Sequence, residues 1–284
     1  MSIQIIIDSA SDISKEKVKE WGVKVLPLKT RFGDEEYLDG ITISHEEFFE
    51  KLIETDVIPQ TSQVSPYDFE QVFEEVKEMG DQALCLTLSS KLSGTYQSAK
   101  IAAEDYEDCV KIVDSENVCI GELILVELAV RLRDAGKTLE EMVKILNEEK
   151  KHIHVVALLD TLEYLKKGGR ISSTTAFVGT MLSIKPVIAI EDGEVKMLGK
   201  ARGSKNGHNI LTEQVEKVGG INFEKPFSLA YSGLSDHMLR KYVKDHEKLY
   251  IDHCTAEELP VCTIGSTIGT HVGPGAIAVA FFTK

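Results

Sequence analysis

Small polar side chains that can bind an anion are concentrated in four short segments of this sequence. Residues 8–12 and 89–96 each follow an apolar, strand-like run, and the glycine-rich residues 265–275, which include His271, follow a third. Residues 61–63 (Thr-Ser-Gln) precede a predicted helix. Hydroxyl groups, a histidine ring and the backbone N–H groups at a helix start together bind anions such as carboxylate. The residue types therefore indicate an anion-binding site.

The segment around Ser93 and Gly94 carries the most specific signal. Both residues lie at the start of a predicted helix over residues 93–103, where unpaired backbone N–H groups and the positive end of the helix dipole are available. Glycine lets an anion approach the backbone closely, and serine adds a hydroxyl. Residues 89–96 hold five hydroxyl side chains, which is more than helix capping requires.

Each candidate residue also has an interpretation without a ligand. Ser93 could cap its helix and nothing more, Thr61 and Ser62 could belong to a turn, and His271 could be a buried core histidine. Convergence of these side chains on one cavity would separate the two interpretations.

Familiar enzyme and metal motifs fit this sequence poorly. A nucleophile elbow needs G-x-S-x-G, whereas residues 265–269 place the serine one position early, and neither a Walker loop nor an H-E-x-x-H motif occurs. The five cysteines form no C-x-x-C pair, so reduced thiols are expected rather than a disulfide framework or a zinc site. We therefore expect no catalytic residue, no metal and no cofactor.

Composition and charge exclude several classes of protein. A hydrophobic content of 43% is typical of a globular chain, and no apolar run is long enough for a membrane span. The net charge is −14, with the acidic excess before residue 156, and such a field repels nucleic acid phosphates and anionic membranes. The first residues lack the features of a secretory signal, so a cytoplasmic location is expected, with no nucleic acid partner and no stable membrane insertion.

The order of predicted elements indicates two α/β domains that would position these segments. Strands and helices alternate over residues 1–155, which predicts a mostly parallel sheet with flanking helices, interrupted by a small insertion at about 29–60. Residues 156–284 contain a hairpin with an Asp-Gly turn at 192–193 and predict a mixed sheet with helices. Ligands bind at the carboxyl ends of parallel strands, where three of the polar segments are expected.

Six motifs in order along the chain resemble the DegV family of fatty-acid-binding proteins. They are DSASD at 8–12, TSQ at 61–63, SKLSGTYQSA at 90–99, LEYLKKGGRI at 162–171, LSIKP at 182–186 and HVGPG at 271–275. The resemblance implies a long-chain fatty acid held between the two α/β domains. It further implies a carboxylate bound by Thr61, with Ser62 beside it, by Ser93 and the Gly94 amide, and by His271.

The resemblance also implies a partner and a metabolic role. Well-understood bacterial members of the family are binding subunits of fatty acid kinase. They present the acid to a separate catalytic subunit that forms an acyl phosphate for phospholipid synthesis, and are carriers rather than enzymes. Arg170 and Arg202 match basic positions near the ligand mouth or the kinase contact, within a locally basic stretch.

A fatty acid tail requires an apolar tunnel. Burial of roughly 15 methylenes at about 0.8 kcal/mol each gives a gross term on the order of 12 kcal/mol, before the costs of ordering and association. Candidates for the tunnel wall follow Arg170 in the chain, although each could equally belong to the domain core: Phe177, Val178, Met181, Leu182 and Ile184.

Two other functions compete with the carrier. The two-domain organisation is similar to that of dihydroxyacetone kinase subunits, in which a histidine binds the substrate carbonyl covalently, so His271 could instead serve an enzyme acting on a small carbonyl or acyl substrate. A long apolar cavity would favour the carrier, and a small polar pocket the enzyme. Transcriptional regulation gains no support from an acidic chain without a helix-turn-helix motif.

Overall fold

The computed structural model describes residues 2–171 and 184–283. The strands are, in chain order, β1 (Ile3–Asp8), β2 (Val23–Leu26), β3 (Lys29–Phe32), β4 (Glu35–Leu38), β5 (Gln60–Ser62), β6 (Gln82–Thr87), β7 (Val110–Asp114), β8 (Ile153–Leu158), β9 (Ile184–Glu191), β10 (Glu194–Arg202), β11 (Phe227–Tyr231), β12 (Val261–Thr263) and β13 (Ile277–Phe282). The α-helices are α1 (Lys15–Trp21), α2 (His45–Glu54), α3 (Pro66–Glu78), α4 (Thr95–Ala102), α5 (Ile120–Asp134), α6 (Leu139–Glu149), α7 (Glu163–Lys167), α8 (Ser204–Lys217), α9 (His237–Asp245) and α10 (Ser266–Val272).

The first half of the chain forms a parallel sheet with the strand order β2-β1-β6-β7. Ile5, Ile6 and Ile7 in β1 are fully buried, as expected for a strand covered on both faces. Helices α3, α4 and α6 pack against β6, and α5 packs against β1. The predicted parallel α/β layer is therefore confirmed.

Capping residues close in sequence define several helix ends. The hydroxyls of Ser14, Ser65 and Thr138 each accept a hydrogen bond from a backbone N–H in the first turn of α1, α3 and α6 respectively. Helix α1 ends at Gly22, whose φ of +58° lies in the left-handed region that glycine adopts without strain.

A small antiparallel sheet with the order β4-β3-β5 lies within the stretch for which an insertion is predicted. It packs on α2 through an apolar cluster of its own, formed by Phe32, Ile43, Phe48, Phe49 and Leu52. Strand β5 carries Thr61 and Ser62 and pairs with β3.

The remaining strands form a six-stranded mixed sheet with the order β10-β9-β8-β13-β11-β12. All neighbours are antiparallel except β11 and β12. Asp192 and Gly193 form the turn between β9 and β10 and both have positive φ, as an Asp-Gly hairpin turn requires. The boundary predicted between residues 155 and 156 falls inside β8, and the division of the chain at that point stays a prediction.

Residues 265–275 differ from the expected glycine-rich loop, because residues 266–272 form helix α10. The backbone N–H of Gly265 donates to the Asp12 carboxylate at 2.8 Å, and that of Ser266 donates to Asp39 at 2.9 Å. These carboxylates come from distant parts of the chain and satisfy N–H groups that a helix start leaves unpaired. Local sequence signals therefore could not reveal the helix, which ends at Gly273 with φ of +70°.

Among the described residues, none of the helices combines the length and the apolar character that a bilayer crossing requires.

Candidate ligand-binding site between the two sheets

A cavity of about 350 Å³ lies between the carboxyl ends of the parallel strands and one face of the six-stranded sheet. Leu28, Leu88 and Val118 approach it from the segments that follow β2, β6 and β7. Ala157 and Ile188 approach it from β8 and β9. The cavity thus occupies the position at which open parallel sheets hold their ligands.

The polar residues predicted for the carboxylate site all line this one cavity, although they are distant in sequence. Thr61 and Ser62 reach it from β5, Ser93 and Gly94 from the segment before α4, and His271 from α10. The Thr61 hydroxyl and His271 Nε2 are 2.9 Å apart and share a hydrogen bond. An anion site requires such convergence, and the role of each residue in binding a carboxylate stays a prediction.

The helical form of α10 explains how His271 reaches the cavity. Thr267 and His271 are four residues apart, so they lie on the same face of the helix, and both contribute to the cavity wall. A Cβ atom on Gly168 would lie only 2.2 Å from His271 Nδ1, so the ring needs glycine at that position. Nδ1 is buried and has no hydrogen-bond partner among the described residues.

His271 is a neutral imidazole near neutral pH. Burial, and to a smaller extent the positive charge of Arg170, lower the pKa of His271 from 6.5 to about 4. A neutral ring has one N–H donor, which can serve either Thr61 or an anion in the cavity. The ring is therefore suited to orienting an acid group without forming a buried ion pair.

Ser93 and Gly94 form a compact turn at the start of α4. The Ser93 hydroxyl lies 2.9 Å from Thr95 Oγ1 and accepts a hydrogen bond from the Thr95 N–H at 3.2 Å. A Cβ atom on Gly94 would lie 1.9 Å from Gln63 Oε1, so a larger residue could not keep this approach. Gln63 is in turn held by donation to the Ser98 hydroxyl at 2.8 Å.

Arg170 supplies positive charge at the polar end of the cavity. Its side chain is half-buried and donates to the backbone carbonyls of Leu92, at 3.1 Å, and Gly168, at 2.6 Å. No described acidic side chain forms an ion pair with it. Arg202 is exposed at the end of β10 and lies outside the described cavity wall.

The acidic residues of segment 8–12 do not line the cavity but hold the loops that do. The buried Asp8 carboxylate accepts from the N–H groups of Ala10 and Leu88. Burial raises the pKa of Asp8 to about 7, despite these two hydrogen bonds. Asp39 accepts from the hydroxyls of Ser9, at 2.9 Å, and Ser266, at 2.7 Å, and so connects the first sheet to α10.

Within residues 2–171 and 184–283, no group of three or more His, Cys, Asp or Glu side chains could hold a metal ion. The donors that line the cavity are instead hydroxyl, amide, imidazole and guanidinium groups.

The chain matches known proteins over its full length. A family model described as "Uncharacterised protein, DegV family" matches residues 2–284. The chain belongs to the DegV family. A DegV domain-containing protein of Caldanaerobacter subterraneus subsp. tengcongensis is 34% identical over 284 residues, which is 99% of each chain.

Solved structures of fatty-acid-binding proteins share this fold. A Thermus thermophilus DegV family protein, described by its fatty acid binding, superimposes with a TM-score of 0.87 at 32% identity and covers 100% of both chains. A stearic-acid-binding protein of Eubacterium ventriosum has a TM-score of 0.86 at 27% identity, covering 99% of this chain and 97% of the other.

Of the residues predicted for the acyl tunnel of this DegV protein, the structure describes only Ile184. Phe177, Val178, Met181 and Leu182 lie outside the described residues, so their role stays a prediction. Ile184 is half-buried at the start of β9 and is not part of the described cavity wall.

Much of the apolar wall comes instead from residues that the sequence analysis assigned only to strands. Val155 and Ala157 in β8, and Ile188 and Ile190 in β9, contribute to the cavity wall with a period of two, and Ala189 also contributes. This alternation is the signal that the sequence offers for the first four residues. It shows that they share one face of the sheet, but only the sheet order shows that this face lines the cavity.

Proposed function

We propose that this DegV protein binds a long-chain fatty acid in the cavity between its two sheets. The observation that carries the proposal is the division of one cavity into a polar end, with Thr61, Ser93, Gly94 and His271, and a wall of buried aliphatic residues. A fatty acid has the same division. The descriptions of the Thermus and Eubacterium relatives support the same ligand class.

The polar groups are suited to a carboxylate. The hydroxyls of Thr61 and Ser93 and the Gly94 N–H can donate to its oxygens, and such bonds to a charged acceptor are stronger than bonds between neutral groups. Arg170 adds a positive charge close to His271. The head group is thereby bound through neutral donors, with a cation nearby.

The apolar wall supplies most of the binding free energy in this proposal. Each buried methylene contributes about 0.8 kcal/mol, so the tail outweighs a few hydrogen bonds to the head, which contribute about 1–3 kcal/mol each. The predominance of aliphatic side chains in the wall favours this carrier over the alternative enzyme for a small polar substrate.

Extraction of the protein purified from a bacterial host tests the proposal directly. We expect mass spectrometry of an organic extract to identify long-chain fatty acid, and the delipidated protein to bind added palmitate or oleate. An extract without any long-chain acid, together with no binding of either acid by the delipidated protein, would refute the proposal.

Replacement of the head-group donors tests the assigned orientation. We expect Ser93→Ala and Thr61→Ala each to weaken fatty acid binding roughly fivefold to a hundredfold, since each removes a hydrogen bond to a charged group. Ser90→Ala is the matched control, because Ser90 belongs to the same segment but is exposed and lies outside the cavity wall. Unchanged affinity in both test variants would contradict the orientation.

We further propose that the bound acid is presented to a fatty acid kinase catalytic subunit in the cytoplasm, for acyl phosphate formation and phospholipid synthesis. The position of Arg170 at the polar end and the exposure of Arg202 support a contact near the head group. With purified catalytic subunit and ATP, Arg202→Glu is expected to lower acyl phosphate formation while fatty acid binding is retained. Arg240→Glu, at an exposed arginine of α9 that pairs with Asp236, is the charge-reversal control.

A further inference from the structure

The sheet side of the cavity is arranged in three successive rows of side chains. Strand register places Ala157 beside Ala278 and Ile188 in one row, and Val155 beside Ile190 in the next, where Ile190 also pairs with Val195. Leu159 and Ala276 adjoin the last paired residues of β8 and β13, Leu158 and Ile277, and form the first row, on the other side of the Ala157 row. All of these residues contribute to the cavity wall.

The polar groups adjoin the first row. Arg170 follows the carboxyl end of β8 through α7, and His271 lies in α10, just before β13 begins. Helices α7 and α10 pack against each other at this end. Val155 is four residues back along β8 from Leu159, which corresponds to roughly 13 Å of extended strand.

The rows differ in side-chain volume. Among the residues that line the cavity, the middle row has alanine at two of three positions, 157 and 278. The third row has the β-branched residues Val155, Ile190 and Val195, which we call the terminal row, and Ala280, which pairs with Val155, is not part of the cavity wall. The terminal row packs against the first turn of α5. A Cβ atom added to Gly121 in that turn would lie only 2.5 Å from Val155 Cγ2. A chain entering from the polar end thus passes over the small alanines and then meets bulky, stiff side chains.

We propose that the terminal row of Val155, Ile190 and Val195 sets the longest acyl chain that this protein accepts, with Ala157 and Ala278 leaving the path to it open. This inference rests on the proposed fatty acid binding and adds its chain-length selectivity. Close packing makes the limit sharp, because a chain one methylene too long must displace side chains that have few alternative rotamers.

Affinities for a series of saturated acids from lauric to arachidic acid, measured by calorimetry on the delipidated protein, test the inference. We expect Val155→Ala to shift the preferred chain length upward, with a gain of roughly fourfold in affinity for each methylene that finds new room. Ile190→Val, which removes a single methyl group from the same row, is expected to give a smaller shift in the same direction. Ala157→Val is expected to shift the preference toward shorter acids.

Val156→Ala is the matched control for Val155→Ala. Val156 is adjacent in β8 and similarly buried, but it belongs to the apolar cluster on the opposite face of the sheet. It should lose stability as Val155→Ala does, while keeping the parent's length preference. An identical length profile in the parent, Val155→Ala and Ile190→Val would overturn the inference and leave fatty acid binding standing, whereas no binding of any acid by the parent would overturn the proposed function itself.

Discussion

At the scale of single residues, the sequence left open whether His271 is a core histidine or a cavity residue, and its environment has features of both. The ring is partly buried, with Nδ1 shielded from solvent, and it also faces the cavity and contacts the Thr61 hydroxyl. Its lowered pKa follows from burial and from Arg170. The ring therefore binds its proton less readily in the folded protein than in the unfolded chain.

This lowered pKa predicts an acid sensitivity that belongs to His271. Between pH 6.5 and about 4 the unfolded chain takes up a proton on this ring and the folded protein does not, so the stability contributed by the neutral ring is lost as the pH falls through that window. We expect His271→Gln to lose less free energy of unfolding than the parent between pH 7 and pH 4.5, by about 1–3 kcal/mol, measured by urea denaturation. A parallel decline in the parent and the variant would contradict the neutral buried ring. His237→Gln, at an exposed position on the surface helix α9, is the control.

Residue motifs identify the polar end of the cavity but not its apolar wall. The segments with Thr61, Ser93 and His271 were recognisable because their residue types match a family pattern, and the structure brings them to one cavity. Val155 and Ile190 carried no comparable signal, because an aliphatic residue in a strand is equally suited to any core.

At the scale of elements, helix α10 depends on carboxylates that belong to the first part of the chain. Asp39 accepts hydrogen bonds from both the N–H and the hydroxyl of Ser266, and Asp12 accepts from Gly265. The partners are 227 and 253 residues apart in sequence. Strands, caps and the Asp-Gly hairpin follow local rules and could be predicted, whereas this helix depends on long-range contacts and could not.

Asp39→Ala is therefore expected to affect both stability and the site. Loss of the carboxylate leaves the Ser266 N–H and the Ser9 hydroxyl without their acceptor in a buried region, which we expect to lower the free energy of unfolding by about 2–4 kcal/mol. Displacement of α10 should also weaken fatty acid binding through His271. Denaturant unfolding and calorimetry of the same samples measure both effects. Asp34→Ala, in the exposed turn between β3 and β4, should change neither, and an Asp39→Ala variant with parental stability would refute the role of this carboxylate.

At the scale of the whole molecule, the cavity lies at the junction of the two large sheets. Helix α5 joins the two sheets, because it packs against β1 and also against β8, β11 and β13. Hydrogen bonds add to this junction, and the Ser89 hydroxyl donates to the Gly193 carbonyl at 2.7 Å. A ligand that touches residues of both sheets adds contacts across this junction, which exist only in the folded protein.

Ligand loading is accordingly expected to raise the stability of the entire chain. For a single site, free ligand at about a hundred times the Kd adds about 2.7 kcal/mol to the free energy of unfolding. We expect differential scanning calorimetry to show a higher melting temperature for the palmitate-loaded protein than for the delipidated protein. The gain should be reduced in Ser93→Ala and unchanged in Ser90→Ala. Equal melting temperatures with and without palmitate would count against a ligand that bridges the sheets.

The hydrogen bond between Thr61 and His271 has a consequence for what the polar end can achieve. The Thr61 hydroxyl and His271 Nε2 already form a hydrogen bond with each other, so an acid that binds to either group exchanges an existing partner for a new one. Each hydrogen bond to the acid group is therefore expected to contribute no more than about 1–3 kcal/mol, which is less than the hydrocarbon tail contributes in total. In the proposed complex, the head-group contacts determine which end of the lipid faces the polar residues, and the tail supplies most of the affinity.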